Sequence, residues 1–277
     1  MTRRKHESDT AEIREALDRL VEKTADSELP PRKRRALETE LRAVSASVGA
    51  LLRQLDPIAA PAAVFDPASP TLVGRFVALA LVAQPRHSLD AIPQFYGSGI
   101  YAFYYNGPFK PYGPISNTET PIYVGTAAPA VPNARDAFEQ GPRLSERITY
   151  HSKNIAKATS TLTLNDFEFR SLVVQSGWER QAESYLIHLF KPIWNKEVRI
   201  LSGFGKHGDS AAMRQHGRSP WDTLHPARQW AGGSKGDQKS SAQIQRELRA
   251  HFTQHTPYQE IDEVLRDFFD ELSQFSS

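Results

Sequence analysis

The run Gly99-Ile-Tyr-Ala-Phe-Tyr-Tyr105 limits what this chain can fold into more than any other segment. It is short and aromatic, and turn residues bound it on both sides, so it reads as a strand. A loop rich in proline and glycine, residues 106–121, separates it from Ile122-Tyr-Val-Gly125, which reads as a second strand. The pair is expected to form an antiparallel hairpin.

The neighbouring segments take other periods. Residues 144–158 have helical spacing, 169–174 are strand-like, and 178–190 form a helix stopped before Pro192, so the order after residue 98 is β-β-α-β-α. One more helix is expected within 71–90. Further upstream, Ile13, Leu17, Leu20 and Val21 keep helical spacing. From Arg32 onward, Leu37, Leu41, Val44, Val48, Leu51 and Leu55 alternate steps of four and three, the spacing of a coiled-coil seam. Residues 9–55 thus read as a helical hairpin that either packs on a core of its own or serves as a dimerisation arm. Four prolines make 56–70 a linker. Residues 201–240 lack a strong period, and Ile261, Val264, Leu265, Phe268 and Leu272 mark a final amphipathic helix, or two helices broken near Pro257. The expected architecture is α+β, divided into a hairpin and linker (1–70), a core (71–200), an irregular segment (201–240) and a helical tail (241–277).

Totals narrow the function classes. With 277 residues and 39% hydrophobic content the chain can bury a real core. A net charge of only +2 does not announce a polyanion ligand, so any basic surface must be local. The absence of cysteine excludes disulfides, thiolate nucleophiles and thiolate metal sites. The longest apolar stretch, 71–83, carries Arg75 and is shorter than the roughly 20 residues that span a bilayer. The charged N-terminus has no apolar signal core. A soluble cytoplasmic protein is the expectation.

Gly99-Ile-Tyr101 followed by Tyr123-Val-Gly125 resembles the paired signature of the GIY-YIG nucleases, with Val in place of the second Ile. The family pattern continues with an Arg on the first helix, a Glu on a later helix and an Asn shortly after. Arg147, Glu183 and Asn195 stand in that order. From Gly97 to about Ala231 the segments Leu162–Phe167, Lys191–Asn195, Gly203–His207 and Arg218–Asp222 resemble the restriction enzymes of this superfamily that cut the palindrome CCGCGG. The resemblance implies a type II restriction endonuclease with a GIY-YIG core. It also implies a homodimer on double-stranded DNA, a companion cytosine methyltransferase, and Mg²⁺ as cofactor with Mn²⁺ able to substitute.

Within that resemblance each residue has a task. Glu183 is the metal ligand, with Glu179 one turn earlier as a rival. Arg147 offers a fork to the phosphate oxygens, against an ordinary surface arginine paired with Glu146 or Glu183. His151, four residues on, projects from nearly the same helical face and suits a shared phosphate, although it also shares the apolar stripe of Leu144, Ile148 and Ile155. Tyr101 is the candidate general base, with His151 left open as an alternative, and Tyr123 stands beside it. Asn195 fixes the wall of the site or the phosphate. Sequence reading is expected from Lys206, His207, Arg214, Gln215, His216, Arg218 and Arg228, with His225 in the same stretch, because arginine to guanine is the commonest specific major-groove contact. The rival functions are a homing or repair nuclease of the same fold and a catalytically inactive DNA-binding module.

Overall fold

The computed structural model describes residues 3–25, 30–55, 58, 64–205 and 217–273. The chain divides into two compact units, residues 1–62 and 63–277. The smaller unit holds the two expected helices, α1 (Arg3–Ala25) and α2 (Pro31–Leu55). Proline at the first helical position of α2 suits a helix start, where its missing N–H would have no intrahelical partner. The seam of α2 is not buried: Val44, Leu51 and Leu55 are 51%, 58% and 79% exposed. Packing of the hairpin on a core of its own is therefore not what the described residues show.

The larger unit contains α3 (Pro70–Val82), β1 (His87–Ser88), β2 (Gly99–Tyr105), β3 (Tyr123–Ala127), α4 (Ala137–Gln140) and α5 (Arg143–Ala156). These are followed by β4 (Phe167–Val173), α6 (Glu179–Phe190), α7 (Pro220–Leu224), α8 (Ser241–Gln254) and α9 (Ile261–Ser273). The β-β-α-β-α order is present, with the short α4 as an addition. Two details differ from expectation. The helix in 71–90 ends at Val82, and the residues after it supply β1, too short to carry a period. The C-terminal segment is two helices, with Pro257 between them.

All strand pairs are antiparallel, in the order β1-β4-β2-β3. Because β2 is central and both faces of the sheet are covered, all seven of its residues are buried. This is why its sequence reads as a continuous apolar run rather than an alternation. Tyr101, Phe103 and Tyr105 join one core with Leu144, Ile148 and Ile155 of α5 and with Trp194, Phe204 and Trp221. Ile100, Ala102 and Tyr104 join a second core with α3, α6 and α9. Gly99 is fixed by close approach, since a Cβ there would lie 2.1 Å from the Leu172 carbonyl oxygen on β4.

The boundaries expected at 200 and 240 do not separate units. Leu201, Phe204, Trp221 and Leu224 belong to the Tyr101 core, as do Ile244 and Leu248 of α8. Two residues expected to read DNA are interior groups of this packing. Arg228 Nε and Nη2 donate to the two carboxylate oxygens of Asp222 at 2.6 and 2.8 Å, and Nη2 also donates to the Gly203 carbonyl at 2.9 Å. Both partners are almost completely buried. His225, also buried, is held between the Tyr112 hydroxyl and Thr161 Oγ1, the latter at 2.8 Å, and burial pushes its pKa down to about 3. A neutral imidazole in that position has no route to a base edge.

A buried pair is most destabilising when only one partner is removed, because the other charge is left without compensation. Arg228→Ala is expected to lower unfolding free energy by about 3–5 kcal/mol in urea titration. The double change Asp222→Leu with Arg228→Met should be much closer to the parent. A single-variant loss within about 0.5 kcal/mol would place Arg228 among ordinary surface groups.

Candidate active site

Edge strand β3 organises the site. Its partner β2 lies on one side, and the loop after α6 runs along the other. Asn195 closes that open edge: Nδ2 donates to the Val124 carbonyl and Oδ1 accepts from the Val124 N–H, both at 2.9 Å. The Trp194 N–H donates to the Ile122 carbonyl at 3.1 Å. Asn195 thus uses its amide as a short strand would, and it is buried. Of the two roles expected for it, the wall of the site is the one its hydrogen bonds serve.

Register then places the tyrosines. Tyr101 lies opposite Gly125, and Phe103 opposite Tyr123. A Cβ on Gly125 would stand 2.5 Å from the Tyr101 hydroxyl and 3.1 Å from Tyr123 Cε1, so the last glycine of Tyr-Val-Gly makes room for both rings. Gly205 does the same from outside, with a virtual Cβ 3.2 Å from the Tyr123 hydroxyl. Tyr123 lines a cleft of ≈ 520 Å³ together with Arg147, Glu183, Asn195, Lys196 and Glu197. Tyr101 is fully buried behind it, with ring centroids 6.1 Å apart.

Burial pushes the Tyr101 phenol well above its ordinary value; Tyr123 adds to the shift and Arg147 opposes it. Tyr123 is also raised by burial, again with Arg147 opposing. Both tyrosines hold their protons in the resting protein, because removal from water disfavours the anion more than one guanidinium favours it.

Arg147 comes from α5 and walls both this cleft and the one beside it. The rival pairing with Glu146 does not form, since Glu146 pairs with Arg143 at 3.9 Å. The Arg147 guanidinium lies 5.6 Å from the Tyr150 ring centre. His151 does not share its outlook. The imidazole is fully buried, stacked on Phe204 at 4.6 Å, with the Tyr123 and Tyr101 rings at 5.3 and 5.9 Å. It stands behind the tyrosines and outside the cleft, so a phosphate shared between Arg147 and His151 is not what the structure arranges.

Glu183 reaches the cleft from α6, on the opposite face of the sheet. Thr126 Oγ1 donates to its carboxylate at 3.3 Å, and no basic side chain among the described residues forms an ion pair with it. Burial raises its pKa, the Thr126 hydrogen bond opposes, and Glu197 raises it further. Glu179, the rival, is spent at the start of α6: it is buried and accepts from the Gly177 N–H at 2.8 Å and the Ser98 hydroxyl at 3.3 Å. Among the described residues no group of three or more His, Asp or Glu converges on one point. A hard divalent cation that keeps most of its waters fits Glu183 better than a closed cage would, since such ions are held by one or two carboxylates plus phosphate.

Glu197 and Lys196 also line the cleft and were not anticipated. Their only sequence signal is position, directly after Asn195. Arg218 lies at the surface, with Nε donating to Asp237 at 2.6 Å. Lys206, His207, Arg214, Gln215 and His216 lie outside the described residues.

An antiparallel sheet with Gly99-Ile-Tyr at its centre, Tyr123-Val-Gly at its edge, and an Arg, a Glu and an Asn converging on that edge is the arrangement of a GIY-YIG nuclease domain. The chain belongs to the Eco29kI GIY-YIG domain family, a restriction endonuclease family, whose model matches residues 93–252, more than half of the sequence. That match extends past residue 231, where the sequence resemblance ended, and takes in most of α8. A comparison with curated proteins gives no match. No helix among the described residues is long and apolar enough to cross a membrane.

The raised carboxyl of Glu183 has a consequence for stability. A folded-state pKa above the unfolded one means the native chain binds this proton more tightly. The stabilisation is present below the ordinary carboxylate pKa and is lost as pH rises through the raised value, above which the buried anion opposes folding. Glu183→Gln keeps the acceptor for Thr126 and removes the charge. Its melting temperature without divalent metal is expected to exceed the parent's at pH 8, with the margin shrinking as pH falls. A lower melting temperature at pH 8 would contradict the burial argument.

Proposed function

We propose that this chain is a type II restriction endonuclease that hydrolyses phosphodiester bonds of double-stranded DNA at a specific site with Mg²⁺, for which Mn²⁺ can substitute. The observation that carries the proposal is the cleft at the edge of β3 that Tyr123, Arg147 and Glu183 share and whose wall Asn195 holds. The scissile phosphate would enter with its non-bridging oxygens on the Arg147 fork, a geometry an ammonium cannot reproduce. Glu183 would hold the cation, whose chemistry is to polarise the phosphate and water and to add positive charge beside the phenols. Tyr123 faces the cleft and is the phenol placed to hydrogen-bond the attacking water. To take the water's proton Tyr123 must first release its own to solvent through the cleft, a loss that the Arg147 guanidinium favours; Tyr101, buried behind it, keeps its proton and packs against that ring. His151 packs against both rings and keeps them in place.

A GC-rich palindrome such as CCGCGG is the proposed target, which requires two symmetric readers and hence a homodimer on DNA. A cytosine methyltransferase would protect the host's own sites. The decisive experiment is digestion of supercoiled plasmid with Mg²⁺, with and without chelator, followed by sequencing of the cut ends. Discrete fragments with one common terminal sequence are expected, and a random smear would argue against site specificity. Glu183→Gln should abolish cleavage while leaving DNA binding by gel shift. Arg147→Ala should slow turnover by about 10²–10³-fold, with Arg147→Lys rescuing little; equal activity of the Lys variant would reduce Arg147 to a point charge.

A further inference from the structure

Three surface clefts of the larger unit share walls. Arg147 belongs both to the catalytic cleft and to a neighbour lined by Arg143 and Tyr150. On the other side, Glu197 belongs both to the catalytic cleft and to a third of ≈ 640 Å³, lined by Lys191, Arg199 and His255 among others. The three form one trench that crosses the catalytic residues and continues between α6 and α8.

We propose that this trench seats one DNA strand, and that Lys191 and Arg199 grip a backbone phosphate adjacent to the scissile one on the α8 side. The proposal rests on the nuclease reading above. Backbone geometry singles these two residues out. Lys191 and Arg199 have φ of 47° and 63°, left-handed conformations that disfavour side chains with a Cβ. They bracket the loop that carries Asn195. The Lys239 ammonium holds the Arg199 carbonyl at 2.6 Å and pairs with Glu247 at 2.5 Å, so the bend is tied to α8. The left-handed turn at Lys191 is the C-cap of α6, so the bend held by contacts from another helix is the one at Arg199.

The cations presented this way are not consumed locally. Arg199 is exposed, and no carboxylate among the described residues pairs with it. The neighbour of Lys191 Nζ is His188 Nδ1, at 3.5 Å, rather than an acid. Burial pushes the nearby His251 down to about 4, with His255 adding to the shift and the Lys191 backbone opposing it. A phosphodiester strand is the ligand that supplies a negative charge here and another in the catalytic cleft.

The test is affinity for a mixed-sequence fluorescent duplex in Ca²⁺, measured by anisotropy at several salt concentrations, alongside plasmid cleavage in Mg²⁺. Arg199→Asn and Lys191→Asn remove the charge with a residue that tolerates the left-handed backbone. Each should flatten the slope of log affinity against log salt by about one unit, raise KM and leave kcat within about twofold. Arg199→Lys should restore the slope, and Arg135→Ala, an exposed cation outside the trench, should leave it unchanged. Parent-like slopes for both Asn variants, with the parent cutting normally, overturn the trench proposal alone. A parent that neither binds nor cuts DNA overturns the nuclease reading and the trench with it.

Discussion

The open edge of β3 is the constraint on which the rest of the site depends. A strand with one neighbour leaves a row of N–H and C=O groups without partners, and buried groups of that kind must be satisfied. Asn195 meets this need at Val124 with a side chain rather than another strand. The consequence is economical in space: among the described residues no further strand covers the edge, so the side chains of β3 remain open to a cleft. The same contact fixes the loop from 191 to 199, and with it the position of Lys196 and Glu197.

The second organising fact is that β2 is buried on both faces. Alternate residues serve different cores, so Tyr101 is committed to the side of α5 and Tyr104 to the side of α6. The cleft joins what the sheet divides, because Arg147 arrives from one face and Glu183 from the other, meeting only past the edge. The proposed cation ligand and phosphate fork thus come from opposite faces of the sheet, and no ion pair joins them among the described residues.

Much of this was legible in the sequence, for identifiable reasons. A seven-residue aromatic run between turns allows few alternatives to a strand, and the glycines at 99 and 125 carry the trace of close approaches that only a residue without Cβ permits. Glu183 was separable from Glu179 by family spacing, and the structure adds that the buried Glu179 carboxylate is already held by the Gly177 N–H and the Ser98 hydroxyl. Direction was not legible. Arg228 and His225 stand in a stretch without a strong period, a setting that reads as solvent-facing until Trp221 is seen to pack against both. His151 fell between two readings because helical spacing gives the face it shares with Arg147 but not how deep that face runs. Lys196 and Glu197 had no pattern beyond adjacency.

The buried Asp222–Arg228 pair has a reach beyond its own packing. Arg228 also holds the carbonyl of Gly203, and the Gly203 Cα sits so close to Ser219 that a Cβ would lie 2.2 Å from its hydroxyl oxygen. The chain leaving the core at Gly203 and the chain returning at Ser219 are thus stapled together independently of residues 206–216. Loop closure between fixed ends changes slowly with length, by about 0.6 kcal/mol per doubling. Changes of length confined to residues 206–216 would therefore leave Phe204, Gly205 and the cleft wall they support in place, so that the length of this segment can vary at little cost to the cleft.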